Sequence, residues 1–244
     1  MVESYGKYSN PNMRRPVVKE EIVDFLRNKQ APLDGYLLEL ENFAHENNIP
    51  IIPHETVVYF NFILQILNSK KILEVGTAIG FSALLMNKNL PEAQITTIER
   101  NPEMAKLAEE NFTRYDLDGN ISLLEGDALE LLPTLDGKYD LAFMDSAKSK
   151  YIVFLPEILR LLEVGGVVII DDVFQGGDIT RDVMDIVRNQ RAIHRGLTKL
   201  FNAVLTHDKL TSSLVPLGDG ILMIRKNEEF TPDDLEALVF ENKA

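Results

Sequence analysis

Three carboxylates and one lysine are spaced in this chain so that they can act together. Asp145 follows the apolar run Leu141-Ala142-Phe143-Met144 and opens Asp145-Ser146-Ala147-Lys148. Asp171-Asp172 follows Val167-Val168-Ile169-Ile170 in the same way. If both runs are neighbouring strands of an open α/β sheet, all three acids stand at carboxyl strand ends, the side on which such sheets bind ligands. The chain has no cysteine, and no histidine is placed beside these acids. Three hard oxygen donors suit Mg²⁺, with Ca²⁺ or Mn²⁺ also open, better than zinc. An ion at Asp145, Asp171 and Asp172 would ligate a hydroxyl oxygen and lower its pKa. Lys148 is placed to take the proton or to stabilise the oxyanion. The plainer alternatives are loop caps for the acids and a solvated loop lysine for Lys148.

A second constellation precedes this one. Glu74-Val75-Gly76-Thr77-Ala78-Ile79-Gly80-Phe81-Ser82 leaves a strand and enters a helix. Two glycines four apart at such a turn let the backbone approach a ligand. The middle glycine of the G-x-G-x-x-G dinucleotide fingerprint is missing, which argues against a nicotinamide dehydrogenase. The next strand ends at Glu99, whose carboxylate can accept both hydrogen bonds of a ribose diol. The one after ends in Glu125-Gly126-Asp127-Ala128, where a side chain or amide can meet an adenine edge. Helix N-capping is the simpler role for Glu99 and Asp127.

These residues need a scaffold, and the hydrophobic pattern describes one. Lys19 to Arg27, Leu33 to Asn48 and His54 to Leu67 read as helices. From Lys71 the rhythm changes. Strand cores at 72–75, 95–98, 121–124, 141–144 and 167–170 alternate with helical patterns at 82–87, 102–115, 127–132 and 151–162. That alternation predicts right-handed crossovers and a mostly parallel sheet. A long helix, Asp178 to Leu205, is expected next, although Gly196 threatens to bend it. Ser212 to Pro216 and Gly220 to Ile224 are joined too closely for a crossover, so they predict an antiparallel hairpin. Thr231-Pro232 opens a terminal helix. The fold class is α/β: one domain, with a helical part at 1–68, a core at 69–226 and a tail helix at 227–244.

Charge is distributed unevenly. The 244 residues carry a formal charge of −13, which argues against a general nucleic-acid coat. Yet two windows hold only basic charges: Lys7, Arg14, Arg15 and Lys19 near the start, and Arg188, Arg191, Arg195 and Lys199 on the expected long helix. Outside these eight cations the chain carries −21. On a helical wheel the second group forms one stripe opposite Val183, Val187, Leu197, Phe201 and Val204. Such a stripe can position phosphates of a structured single-stranded RNA, though a charged stripe is often only a solvated face. Lack of an apolar span, and of a basic leader before an apolar stretch, makes a cytoplasmic protein without membrane attachment the expectation.

Taken together, the acid ending strand one, the glycine turn, Glu99 and Gly126-Asp127-Ala128 resemble the S-adenosylmethionine site of class I methyltransferases. The D-x-x-K-x-x-Y pattern from Asp145 to Tyr151, followed by the double acid, is similar to the metal-dependent O-methyltransferases of the catechol and caffeoyl-CoA type. Asp171-Asp172-Val173-Phe174-Gln175-Gly176-Gly177 and Val215-Pro216-Leu217-Gly218-Asp219-Gly220 most resemble a bacterial branch that methylates 5-hydroxyuridine at the tRNA wobble position. The resemblance implies a Rossmann-like fold with a seven-stranded sheet and a homodimer. It implies a cofactor held by Ile52, Glu74, Gly76, Ser82, Glu99, Asp127, Ala128 and Asp145. It makes Asp145 and Lys148 catalytic, and Asp145, Asp171 and Asp172 metal ligands. Asp172 stands where the family usually has Asn, which makes the site one charge more negative. The implied partner is a tRNA anticodon loop, with Arg14, Arg15, Arg188, Arg191, Arg195 and Lys199 as its contacts. A small catechol or phenol as acceptor, and a non-catalytic S-adenosylmethionine-binding protein, are the alternatives.

Overall fold

Short runs rich in Ile, Leu, Val and Phe with few polar interruptions are the mark of strands covered on both faces. The computed structural model describes residues 19–240. In it these runs form β1 (Lys71–Val75), β2 (Gln94–Glu99), β3 (Ile121–Glu125), β4 (Tyr139–Met144) and β5 (Leu162–Ile170). With β6 (Leu210–Val215) and β7 (Ile221–Lys226) they make a seven-stranded sheet ordered β3-β2-β1-β4-β5-β7-β6. The first five strands are mutually parallel, and β7 runs antiparallel to both β5 and β6. The expected hairpin is present, with β7 rather than β6 docked on β5.

Alternate strand residues feed two cores, as the two-residue period requires. Ile72, Leu141, Phe143 and Ile169 face the side covered by α2 (Gly35–Glu46), α3 (His54–Leu67), α4 (Phe81–Asn89) and α5 (Pro102–Tyr115). Leu73, Ala142, Met144, Val168 and Ile170 face α7 (Tyr151–Leu161), α8 (Arg191–Val204) and α9 (Pro232–Phe240). A short helix, α6 (Ala128–Leu131), follows β3. The first helix, α1 (Glu20–Lys29), is tied down by a two-pronged ion pair. Arg27 Nε and Nη2 lie 2.7 and 2.9 Å from the buried carboxylate of Glu55 on α3. Asn101 caps α5 as its Pro102 neighbour suggests, accepting from the Glu103 amide at 3.0 Å. The strand order reverses beside β1, which has β2 on one side and β4 on the other. That reversal opens a crevice at the carboxyl ends.

The expected long helix from Asp178 to Leu205 is corrected. Short 3₁₀ turns occupy 175–180, 183–185 and 188–190, the first of them kinked at Gly176 and Gly177, and the α-helix begins only at Arg191. Arg181, Ile186 and Val187 adopt extended ψ values of 161°, 142° and 132°, which break the i→i−4 ladder. The Asp182 carboxylate caps a local turn by accepting from the Met184 amide at 2.8 Å. Amphipathic spacing survives in this stretch, but its polar groups find nearer partners than a helix would supply. Val183 and Val187 therefore leave the buried face, and Val187 and Met184 are exposed. Leu197 and Val204 are buried as expected. Gly196 does not bend α8. It lies against the backbone of Ser149, where a Cβ would meet the carbonyl oxygen at 2.8 Å and Cα at 2.9 Å.

Candidate active site

A cleft of about 830 Å³ runs along the carboxyl ends of β1, β2 and β4. Its size suits a cofactor with a substrate beside it. One end is built by the glycine turn. Gly76 has φ +104° and packs so closely on the end of β4 that a Cβ would lie 2.0 Å from the Asp145 carbonyl oxygen. The Thr77 and Ala78 amides donate to Glu99 Oε2 at 3.2 and 2.9 Å, and the Asn101 amide donates to Oε1 at 2.8 Å. Glu99 thus braces the turn. Oε2 already accepts two of these bonds, while Oε1 accepts one and keeps capacity for a second, as a ribose hydroxyl would give. Asp127 Oδ1 accepts from the Leu129 amide at 2.9 Å, so the helix-cap role is real, and the residue also lines the cleft. Ile52, Ser82 and Ala128 line it too, and Ile52 is buried.

Glu74 is placed differently from expectation. It is fully buried and does not line the cleft. Its carboxylate accepts from Thr97 Oγ1, and Thr97 in turn bonds Thr77 in the glycine turn. Burial pushes its pKa up to about 7, against the pull of hydrogen bonds from Ser82 and Thr97. Glu74 supports the turn from beneath, through Thr97 and Thr77.

At the other end lie the acids. Asp145 lines the cleft, and its pKa is raised to about 7 by burial and the charge of Asp172, with Lys148 opposing. Asp171 is almost completely buried, sits behind the cleft wall, and is pushed well above the usual carboxylate range by burial and both neighbouring acids. Asp172 borders the cleft with a positive φ of 61°, a conformation Asp and Asn tolerate. Its Oδ2 accepts from Lys148 Nζ at 2.7 Å. Tyr151, the last residue of the spaced pattern, is buried beneath. Its hydroxyl accepts from the Ser146 amide at 3.1 Å and reaches the Asp171 carbonyl at 3.3 Å, joining the loops that carry Asp145 and Asp171.

The donor chemistry fits a divalent cation. Buried carboxylates driven toward their protonated forms ionise readily only when a positive charge is supplied. The geometry is not a ready-made triad. Among the described residues no three acidic or imidazole side chains already converge on one point. Asp171 Oδ1 accepts from the Asp172 amide at 2.9 Å, and Asp172 is drawn to Lys148. Ligation by all three acids therefore requires Asp172 to exchange the lysine for the ion.

Sequence reasoning missed Asp219. It lies in the β6–β7 turn, is buried at the cleft edge, and has Oδ2 3.9 Å from Lys148 Nζ. The Leu217-Gly218-Asp219-Gly220 stretch was visible as a hairpin turn, but nothing local indicates that it folds over the Lys148 loop. The RNA contacts also need revision. Arg191 donates to the carbonyls of Ile186 at 2.9 Å and Met184 at 2.8 Å, so its guanidinium holds the 184–187 segment. Arg188 is exposed on a 3₁₀ turn, not on the helix, while Arg195 is exposed and Lys199 half-buried on α8. Gln190 and Ile193, at the start of α8, border the cleft. Arg14 and Arg15 lie outside the described residues.

A sheet of this order with a cofactor cleft at its switch point defines a class I, S-adenosylmethionine-dependent methyltransferase. The chain belongs to the O-methyltransferase family, which it matches over residues 28–227. It is 25% identical over 182 residues to caffeoyl-CoA O-methyltransferase of Populus kitakamiensis, covering 72% of this chain and 77% of that one. It is 31% identical over 121 residues to catechol O-methyltransferase of Mycobacterium tuberculosis, covering 49% and 55%. Among solved structures, the SAH-bound Podospora anserina methyltransferase PaMTH1 superposes with a TM-score of 0.76 at 25% identity, covering 86% of this chain and 97% of that one. The protein is therefore an S-adenosylmethionine-dependent O-methyltransferase of the caffeoyl-CoA and catechol type. Among the described residues no helix is long and apolar enough to cross a membrane.

Proposed function

We propose that the protein transfers the methyl group of S-adenosylmethionine to an acidic hydroxyl, with the help of a divalent cation at Asp145, Asp171 and Asp172, and that the acceptor is 5-hydroxyuridine in a tRNA anticodon loop. The sulfonium is already activated, so the chain's work is to align the hydroxyl for in-line attack and to manage its proton. When bound, the cation would lower the pKa of the hydroxyl. Lys148, within the cleft and paired as an ammonium with Asp172, is placed to stabilise the oxyanion, and it can take the hydroxyl's proton only after giving up one of its own to solvent.

The observation that supports an RNA acceptor is the exposed cationic face of α8. Arg195 is exposed and Lys199 half-buried on this helix, and exposed Arg188 precedes a helix whose start borders the cleft. In a chain of net charge −13 this local positive surface can direct phosphate contacts with little non-specific attraction. A second reading, a small catechol as acceptor, is favoured by the names of the relatives and by exposed Met184 and Val187 on the segment that Arg191 holds.

The test is methyl transfer from labelled S-adenosylmethionine to hypomodified tRNA carrying 5-hydroxyuridine, with Mg²⁺ or with chelator. Metal-dependent 5-methoxyuridine is the expected product. The paired substitutions Arg195→Glu and Lys199→Glu should weaken tRNA methylation and flatten its salt dependence, while leaving turnover of free catechol unchanged. Label on catechol alone, with none on tRNA, replaces the first reading by the second.

A further inference from the structure

Lys148 faces a conflict in this site. Its closest partner, Asp172 at 2.7 Å, is also one of the three carboxylates whose chemistry suits a divalent cation. An ion that takes Asp172 removes the lysine's only close anchor among the contacts described. A long, four-carbon side chain without an anchor loses its orientation, and a proton-handling group must be held in place to be effective.

The β6–β7 turn supplies a second anchor. Asp219 is 6% exposed, and its Oδ2 stands 3.9 Å from Lys148 Nζ, reached from a different loop than Asp172. The residue is itself fixed. Its Oδ1 accepts from the Gly176 amide at 2.6 Å, its carbonyl accepts from the Phe174 amide at 2.8 Å, and the neighbouring Gly220 carbonyl accepts from the Val173 amide at 3.0 Å. Three hydrogen bonds therefore bind this turn to the segment that directly follows Asp171-Asp172. The geometry places one buried carboxylate, rigidly held, within a small side-chain movement of the ammonium.

We propose that Asp219 is a positioning residue, which holds Lys148 over the reacting end of the cleft when Asp172 turns to a divalent cation. This rests on the metal-dependent reading of the site given above. Asp172 and Asp219 then act in exchange. In the metal-free protein Lys148 pairs with Asp172, and in the loaded protein it moves the short distance to Asp219. The ammonium remains in the cleft in both states.

The test uses the full chain and its Asp219→Asn variant. Asparagine keeps an oxygen for the Gly176 amide and removes the charge from the lysine's side. Labelling of Lys148 by a small amine reagent is followed by mass spectrometry, in chelator and in Mn²⁺, with Mn²⁺ binding measured separately by spin resonance. The labelling of wild-type Lys148, relative to exposed Lys106 away from the cleft, should change little on adding Mn²⁺. In Asp219→Asn it should rise several-fold with Mn²⁺ and stay near wild type in chelator, and Asp219→Glu should restore the wild-type pattern. The methyl-transfer rate of Asp219→Asn should fall about ten-fold in kcat with KM for S-adenosylmethionine unchanged. That loss should vanish in a Lys148→Met background, because the two residues act through one group. Normal Mn²⁺ binding with unchanged Lys148 labelling in Asp219→Asn overturns this inference alone. Absence of Mn²⁺ binding in the wild type overturns it together with the metal-dependent reading.

Discussion

Substituting Gly196 by alanine separates helix propensity from tertiary packing. In the middle of a helix Gly→Ala is ordinarily stabilising by about 1 kcal/mol, because alanine restricts the unfolded chain. Here the new methyl would sit 2.8 Å from the Ser149 carbonyl oxygen, 2.9 Å from its Cα and 3.1 Å from its carbonyl carbon. All three are backbone atoms, so no side chain can swing aside. Ordinary contact requires α8 and the 148–150 turn to separate by about 0.5 Å, and overpacking of this kind costs about 1–3 kcal/mol. The two effects nearly cancel or leave a small loss, so the melting temperature should be unchanged or lower by about 2–6 °C. Activity should respond more. The displaced turn carries Lys148, and a shift of half an ångström in a group that manages the reacting proton should lower kcat about ten-fold. Thermal denaturation and steady-state methyl transfer measure both quantities on one preparation. A Gly196→Ala protein that melts several degrees higher with wild-type kcat would refute the close approach and the positioning argument with it.

Two further predictions concern charge. Glu74 and Asp145 both have pKa values raised to about 7 in the folded chain, by burial first. A raised acid contributes stability that is complete below its unfolded pKa, near 4, and is lost as pH rises through the folded value. The metal-free protein should therefore lose melting temperature between pH 5 and pH 8. Mg²⁺ should restore more at pH 8 and should release at least one proton on binding at pH 6.5, read by calorimetry in buffers of different ionisation heat. Binding without proton release would show that the acids are already ionised. Separately, Arg27→Ala strands the Glu55 carboxylate, which is 1% exposed, without its two-pronged partner. A loss of about 3 kcal/mol, concentrated in protection of α1 from hydrogen exchange, is expected. Unchanged exchange in residues 20–29 would refute the view that this pair docks the helix.

Much of the molecule was readable from local pattern alone. The strand cores coincide with β1 to β5 because buried strands need short apolar runs, and the turn after β1 coincides with Gly76 because only a residue without Cβ fits against the Asp145 carbonyl. Residues at strand ends were assigned to one cleft for the same reason: parallel strands bring all their carboxyl ends to one edge. Misreadings arose where nearby polar groups overruled periodicity. The 178–190 segment has helical spacing, yet Asp182, Arg191 and His194 bond its amides and carbonyls into turns.

The sequence by itself therefore determined the class of sheet, the order of its elements and the inventory of acids, lysine and glycines available to a methyl-transfer site. Those follow from properties of single residues and their spacing. Tertiary structure alone decided which side of the cleft wall each acid faces: Asp145 and Asp172 in the cleft, Asp171 behind it, Glu74 beneath the turn. It alone brought Asp219, 71 positions beyond Lys148 by number, to within 3.9 Å of the ammonium. No local preference encodes such a meeting. It exists because β7 inserts beside β5 and carries the hairpin turn over the strand ends, where a contact between distant residues is fixed by the packing of everything between them.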